Sequence, residues 1–298
     1  MRFPGLLRHI PATAALIVFL TAIAAHADIS VIDDSGQRIT LKAPAKRIIS
    51  LAPHVTELLF AAGAGAKVVG VSAASDYPQE ARRLPSTGNS SRLDLERITL
   101  LNPDLIVAWT SGNHPSQITQ LKKQGYVVFE SEPKNFDDIA STLEKLGKLA
   151  GNTHGLDAAT RFRGTIASIR QQYQERELIT VFYQIWPSPL MTLNDQHLVS
   201  QALRLCGAIN IFGKLPQLAP TVSREAVLAA NPDTILISDE SSSSISDWRK
   251  IPSLKAVRQQ QVITVDGNLL NRAGPRMPEA VAVLCKQIDM MRSQQHRQ

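Results

Sequence analysis

The chain has 298 residues, of which 32 are Lys or Arg and 26 are Asp or Glu, so its formal net charge is +6. Hydrophobic residues make up 44% of the chain and charged residues 19%, which allows a buried core and excludes a disordered, collagen-like or coiled-coil chain. Only one long apolar run is present, which excludes a multi-pass membrane protein, and the basic residues are too scattered for a nucleic-acid-binding surface.

The N-terminus has the pattern of an export signal. A short basic region precedes an apolar run over residues 10–25, which is shorter than the roughly 20 residues of a membrane-spanning helix. Ala25 and Ala27 then supply the small residues that a signal peptidase requires. We predict a signal peptide over residues 1–27, cleaved after Ala27, with an uncleaved anchor helix as the alternative.

The next part of the chain predicts a hairpin followed by alternating strands and helices. Residues 30–41 alternate in polarity around the turn sequence Asp33-Asp34-Ser35-Gly36, which is typical of a β-hairpin. The strands predicted after it are 47–51, 68–71, 105–108 and 127–130, and the helices are 56–62, 94–101, 116–124 and 136–150. This alternation predicts a mostly parallel sheet covered by helices on both faces.

Residues 156–177 have apolar residues at a spacing of three to four, which predicts one long helix of about six turns. The alternation then starts again. The predicted strands are 179–183, 234–238 and 262–265, and the predicted helices are 196–206, 223–230, 247–257 and 278–292. We therefore predict an α/β chain with an N-terminal lobe over residues 28–152, a connecting helix over 153–177 and a C-terminal lobe over 178–298.

Two segments resemble each other, one in each predicted lobe. Residues 95–107 read LERITLLNPDLIV, and residues 224–236 read REAVLAANPDTIL. In both segments Asn-Pro ends a helix and leads directly into a buried strand. The pattern predicts a duplicated architecture in which Glu96 and Glu225 occupy equivalent positions.

The chain lacks the common signatures of enzymes. It contains no GxSxG, HExxH, GxxxxGK[ST] or GxGxxG motif. No two of the histidines that follow residue 27 stand at the spacing of metal ligands. We predict a protein that is not an enzyme and holds no metal or cofactor. The alternative is an enzyme that uses Asp76, Asp239 or Asp266 as acid or base.

Cys206 and Cys285 are the only cysteines. An exported chain meets oxidising conditions, so we predict that these two form a disulfide. Two buried free thiols are the alternative.

Candidate binding residues follow the ends of the predicted strands, where ligands of open α/β sheets bind. Trp109 and Trp186 stand at such ends, one in each lobe, and aromatic walls suit a large flat ligand. Arg272 and Arg276 lie near the same edge, where they either meet a ligand or pair with acids of the protein. The candidate ligand-binding residues are Pro53, His54, Asp76, Tyr77, Trp109, Trp186, Asp266 and Arg272.

A set of motifs spread over the chain resembles one known family. The motifs are RIISLAPHVTELLFAAGAG, SDYP, LERITLLNPDLIVAW followed by SGN, the spacing of the two cysteines, VSREAVLAANPD and RAGPRMPEA. Together they resemble the periplasmic cobalamin-binding proteins of ABC importers, over essentially all of the chain beyond residue 27. The wider group comprises helical-backbone binding proteins for cobalamin, haem and siderophores.

This resemblance implies two Rossmann-like lobes joined by a rigid helix, with a ligand cleft between them. It implies a monomeric periplasmic receptor that captures cobalamin and delivers it to the permease dimer of an ABC transporter in the inner membrane. Glu96 and Glu225 match the two glutamates that pair with arginines of the permease in this family.

The chain departs from the family pattern at two places. The relatives carry an aromatic residue where this chain has Gly88-Asn89-Ser90-Ser91 and another where it has Leu218-Ala219-Pro220, and Trp186 is a candidate to replace part of that wall. A haem or ferric-siderophore receptor of the same fold is the alternative function. Haem would need an axial ligand such as His54 or Tyr77, and a siderophore would need a more basic cleft.

Overall fold

The structure, a computed structural model, describes residues 28–295. The predicted signal peptide over residues 1–27 lies outside the described residues. Two four-stranded parallel sheets, one in each half of the described chain, are joined by one long helix. This arrangement confirms the predicted α/β fold with two lobes.

The N-terminal lobe is built on a parallel sheet with the strand order β4-β3-β5-β6. Asp33 closes the turn of the predicted antiparallel hairpin, β1–β2, by accepting the backbone N–H groups of Ser35 and Gln37. The elements of this lobe are β1 (Ile29–Ile32), β2 (Arg38–Leu41), β3 (Ile48–Ser50), α1 (Pro53–Ala61), β4 (Val68–Val71), α2 (Leu95–Leu101), β5 (Leu105–Trp109), α3 (Pro115–Lys123), β6 (Val128–Ser131) and α4 (Phe136–Leu149).

The connecting helix α5 (His154–Tyr173) is embedded in the core. Its buried residues Phe162, Ile166 and Ile169 follow the predicted spacing and belong to one apolar cluster that extends into both lobes. Gly147 of α4 and Gly155 of α5 lie so close together that an added Cβ at Gly155 would overlap backbone atoms. The 20 residues of α5 extend about 30 Å, so both lobes are attached to one stiff element.

The C-terminal lobe repeats the topology of the first one. Its parallel sheet has the order β10-β7-β11-β12, so in both lobes the first strand lies between the second and the third. Its elements are β7 (Ile179–Gln184), β8 (Trp186–Pro187), β9 (Leu190–Met191), α6 (Leu198–Leu205), β10 (Ala208–Asn210), α7 (Arg224–Ala230), β11 (Thr234–Ser238), α8 (Ile245–Arg249), α9 (Lys255–Arg258), β12 (Val262–Val265), α10 (Gly267–Leu270) and α11 (Met277–Gln295).

The two repeated segments have the same local structure, which confirms the predicted duplication. Helices α2 and α7 both begin with a side-chain cap, from Asp94 in one lobe and Ser223 in the other. Both end at an asparagine in the left-handed region with a φ of 43°. The aspartate two residues later, Asp104 or Asp233, accepts a backbone N–H at the start of the neighbouring strand. Equivalent side chains therefore define the same helix-to-strand turn twice.

Parts of the C-terminal lobe differ from the sequence prediction. The predicted helix over 247–257 is wrong, because Pro252 lacks an N–H donor and separates two short helices, α8 and α9. The strand β10 and the hairpin β8–β9 were not predicted. Segments of two or three residues are too short to show a periodicity.

The predicted disulfide is confirmed. It joins Cys206, directly after α6, to Cys285 in α11, and both residues are fully buried. The bond closes a loop with a sequence separation of 79 residues. A crosslink over a loop of this length restricts the unfolded chain strongly.

Replacing both Cys206 and Cys285 with serine is expected to lower the free energy of unfolding by about 2–4 kcal/mol, because the unfolded chain regains its freedom. Urea unfolding followed by circular dichroism measures the change. The oxidised and the reduced wild-type protein are the controls. Equal unfolding midpoints for these two forms would contradict a stabilising role of the bond.

Candidate ligand-binding cleft

A cavity of about 470 Å³ lies between the two lobes. From the N-terminal lobe its lining includes Pro53, His54, Trp109, Ser111, Glu132 and Lys134, and from the C-terminal lobe Gln196, His197, Leu218, Asn271, Arg272 and Ala273. Four candidate residues from the sequence analysis are thus brought together: Pro53, His54, Trp109 and Arg272.

A buried carboxylate joins the two lobes beside this cavity. The side chain of Glu57, in α1 of the N-terminal lobe, is 1% exposed. Arg276 donates to it from Nε at 2.8 Å and from Nη2 at 2.7 Å, and Arg272 donates from Nη1 at 3.3 Å. Both arginines belong to the C-terminal lobe, and a buried carboxylate needs such partners. We call Glu57, Arg272 and Arg276 together the Glu57 clasp. Both arginines thus pair with an acid of the protein, and Arg272 also lines the cavity.

Asp76 and Tyr77 contact the two arginines of the Glu57 clasp and are not part of the cavity lining. Asp76 accepts a hydrogen bond from Nη1 of Arg272 at 2.6 Å. Burial opposes the charge of Asp76, but the hydrogen bond and the charge of Arg272 outweigh it and hold the pKa of this carboxyl below its usual value. The guanidinium of Arg276 lies 3.9 Å from the centre of the Tyr77 ring, a cation–π contact.

His54 lies in the first turn of α1 and is buried. Its ring meets the indole of Trp109 edge to face, with the ring centres 5.3 Å apart. Its Nε2 atom is buried and has no hydrogen-bond partner among the residues that the structure describes. Burial, and then the charge of Arg272, lower the pKa of His54 to about 4, so this ring is neutral near pH 7.

Trp109, at the end of β5, is held by the turn that follows it. Asn113 accepts the backbone N–H of Trp109 at 2.8 Å and donates to the carbonyl of Leu51 at 3.1 Å. An added Cβ at Gly112 would overlap the six-membered ring of the indole. Glycine therefore leaves the room that the ring needs, and the apolar wall has a defined orientation.

Sequence analysis missed Glu57 and part of the cavity lining. Ligands of open α/β sheets bind beyond the ends of the strands, and we call this the strand-end rule. Glu132 and Lys134 follow the end of β6, so applying the rule to this strand would have found them. Glu132 accepts hydrogen bonds from the N–H of Ser111 at 2.8 Å and from its hydroxyl at 3.0 Å. His197 precedes α6 and follows no strand of the parallel sheet, so the rule does not reach it.

Trp186 and Asp266 are not part of the cavity lining. The indole of Trp186 is in the β8–β9 hairpin, is 48% exposed and donates from Nε1 to the carbonyl of Ser188 at 3.1 Å. The carboxylate of Asp266 caps α10 by accepting the N–H of Leu269 at 3.0 Å. Each of these two side chains forms a hydrogen bond with a residue of its own segment.

Glu96 and Glu225 are exposed in the first turns of α2 and α7. Hydrogen bonds from its own backbone N–H and from Ser223 lower the pKa of Glu225 below its usual value. Each helix also exposes an apolar side chain, Leu100 on α2 and Leu228 on α7. Each of the two helices thus exposes one carboxylate and one apolar side chain, although Leu100 and Leu228 do not occupy equivalent positions of the duplication.

Within residues 28–295, no group of three or more His, Cys, Asp or Glu side chains is arranged to hold a metal ion. In the same part of the chain, no helix has both the length and the apolar character needed to cross a membrane.

The cleft has an apolar wall with a few polar groups, and a lining of this kind suits ligand binding.

Comparison with known proteins identifies the family. A model of the family described as periplasmic binding protein matches residues 48–269. The chain is 38% identical over 253 residues to the vitamin B12-binding protein of Vibrio cholerae serotype O1, a match covering 84% of this chain and 92% of that protein. It is 39% identical over 254 residues to the protein of the same name from Photorhabdus laumondii, covering 84% and 90% of the two chains.

Solved structures with the same fold include relatives of two kinds. The periplasmic vitamin B12 binding protein BtuF of Vibrio cholerae superposes with a TM-score of 0.78 at 38% identity, covering 84% of this chain and 98% of that one. The periplasmic heme-binding protein RhuT from Roseiflexus sp. RS-1 superposes with a TM-score of 0.74 at 26% identity, covering 83% and 99%. The family model spans most of the chain and these relatives are binding proteins, so this chain is not an enzyme and belongs to the periplasmic binding protein family.

Proposed function

We propose that this protein captures cobalamin in the cavity between its lobes and delivers it to the permease of an ABC transporter. The proposal is carried by the two-lobed cavity with its Trp109 wall, in a chain that is 38% identical to a vitamin B12-binding protein over 84% of its length. In this proposal residues 28–152 and 178–298 act as the two lobes, and residues 153–177 connect them.

The cavity offers the contacts that cobalamin requires. Cobalamin contains a large flat macrocycle with uncharged carboxamide groups around its edge. Trp109 and Leu218 supply apolar surface from opposite lobes, and Gln196, His197 and Asn271 supply polar groups. Apolar walls with a few well-positioned polar groups favour a ligand of this kind.

The alternative ligands are less well supported by the cleft. Haem held through its iron needs an axial ligand with a free nitrogen or oxygen atom. Nε2 of His54 has no hydrogen-bond partner among the described residues but is inaccessible to solvent, and Tyr77 lies outside the cavity lining with a guanidinium over its ring. A ferric siderophore would favour a cleft with several unpaired basic groups, whereas the lining has two basic residues, Lys134 and Arg272, and the charge of Arg272 is shared with two carboxylates.

The proposed place of action is the periplasm, reached through the signal peptide over residues 1–27. The basic, apolar and small-residue parts of that segment support this assignment. The proposal describes a monomeric receptor that has no cofactor of its own, because cobalamin is the transported ligand.

Delivery is proposed to use the surfaces of α2 and α7. Glu96 and Glu225 are related by the internal duplication, so they suit arginines on the two subunits of a permease dimer. An exposed ion pair contributes only about 0–1 kcal/mol. Docking therefore also needs the apolar area around Leu100 and Leu228.

Isothermal titration of the purified protein with cyanocobalamin tests the proposed ligand. We expect one ligand per chain, because the lining forms a single cavity between the lobes. Hemin is titrated in parallel and followed through its Soret band. Binding of hemin without any heat from cyanocobalamin would overturn the proposal while leaving the fold unaffected.

Trp109→Ala is expected to weaken cyanocobalamin binding by about 30-fold, because loss of an aromatic anchor costs about 2 kcal/mol. Gly112→Ala is expected to weaken binding by a smaller factor, since the added methyl group displaces the same ring. Gly164→Ala is the matched control, because an added Cβ there meets no atom within 4 Å. Calorimetry gives the affinities, and thermal melts check folding. Unchanged affinity for Trp109→Ala would contradict the assigned wall.

The double variant Glu96→Ala/Glu225→Ala is expected to bind cyanocobalamin normally and to lose most transport into vesicles that contain the permease. The reason is that both docking carboxylates are removed while the cavity is untouched. Asp157→Ala/Glu175→Ala, which removes two exposed carboxylates elsewhere, is the charge-matched control. Normal transport by the first double variant would refute the docking assignment.

A further inference from the structure

His197 lines the cavity from the C-terminal lobe and is held by its neighbours. It caps α6, and its Nδ1 accepts the backbone N–H of Val199 at 3.2 Å. Its own backbone N–H donates to the carbonyl of Asn194 at 3.2 Å, and Nδ2 of Asn194 donates to the carbonyl of Leu215 at 3.1 Å. The ring therefore has a defined position in the cavity wall.

The hydrogen bond from Val199 decides which ring nitrogen of His197 carries the proton. A neutral imidazole has one donor and one acceptor nitrogen, so a ring that accepts at Nδ1 has its proton on Nε2. Burial lowers the pKa of His197 to about 4, so the ring is neutral near pH 7. Across residues 28–295, no protein group accepts a hydrogen bond from this Nε2. The Nε2–H group is therefore available to a ligand.

We propose that His197 forms a carbonyl-binding subsite of the cleft, in which Nε2–H donates a hydrogen bond to an uncharged carboxamide oxygen of the bound ligand. This inference rests on the proposed capture of cobalamin, whose edge carries such groups. The charged residues in the same lining are Glu132, Lys134 and Arg272. His197 differs from them because a neutral N–H donor binds an uncharged acceptor without a counter-charge.

The same tautomer argues against a role of His197 as a metal ligand. Coordination needs a ring nitrogen without a proton. Moving the proton from Nε2 to Nδ1 would remove the hydrogen bond with Val199 and leave the first turn of α6 without its side-chain cap. The ring therefore selects a macrocycle through its amide substituents and does not select the central metal.

Calorimetry with cyanocobalamin tests the contribution of this subsite. His197→Ser keeps a residue that caps α6 well but has no donor that reaches the cavity. We expect it to bind cyanocobalamin about three- to tenfold more weakly, which corresponds to one hydrogen bond. His114→Ser, at an exposed histidine outside the cavity lining, is the matched control and should keep full affinity. Full affinity of His197→Ser would overturn the inference.

Nitrogen-15 NMR of the wild-type protein labelled at histidine provides a readout that a merely structural role would not change. We expect the Nε2-protonated tautomer for His197 at pH 7 and a shift of its Hε2 signal when cyanocobalamin is added. A proton on Nδ1, or an Hε2 signal that does not move while cyanocobalamin binds, overturns the inference. Failure of the proposed function is distinct, because the wild-type protein would then bind no cyanocobalamin at all.

Discussion

The carboxylate of Glu57 is almost fully buried, and its partners Arg272 and Arg276 belong to the other lobe. Removing the arginines while Glu57 stays buried would leave a charge without partners in a poorly solvated place, which costs about 3–5 kcal/mol. Pro53 and His54 precede Glu57 by four and three residues in α1, and Ala273 follows Arg272, so residues close to the clasp in sequence line the cavity. The clasp therefore sets the distance between the two walls of the binding cleft.

The second constraint on the cleft is the shared core. The helix α5 packs its apolar face into a cluster that continues into both sheets, so the connection is not a free hinge. The clasp holds the lobes on the cavity side, and α5 joins their cores. The internal duplication then gives each lobe the same helix-to-strand turn, with Glu96 on one and Glu225 on the other. A stiff connection between the lobes favours a receptor whose cleft is preformed for its ligand. The duplication that relates the two lobes favours a partner with two-fold symmetry.

Much of this architecture follows from local patterns in the sequence. The strands, the long helix and the duplication are visible because their periodicities extend over many residues, and the strand-end rule leads to His54 and Trp109. The Glu57 clasp has no such signal: Glu57 looks like any helical glutamate, and its partners follow more than 200 residues later. Trp186 follows β7 as the rule requires, but the chain turns there into a short hairpin, and its role in ligand binding stays a prediction.

The distance between the lobes is the most direct test of this account. Spin labels on Leu100→Cys and Leu228→Cys, both at exposed positions, report the separation of α2 and α7, and the native cysteines do not react because they are paired. We expect one narrow distance distribution that is the same with and without cyanocobalamin, and a broader one in Glu57→Gln, where the buried charge is removed. A broad distribution in the ligand-free wild-type protein that narrows or shifts by several ångströms on binding would contradict a preformed cleft held by the Glu57 clasp.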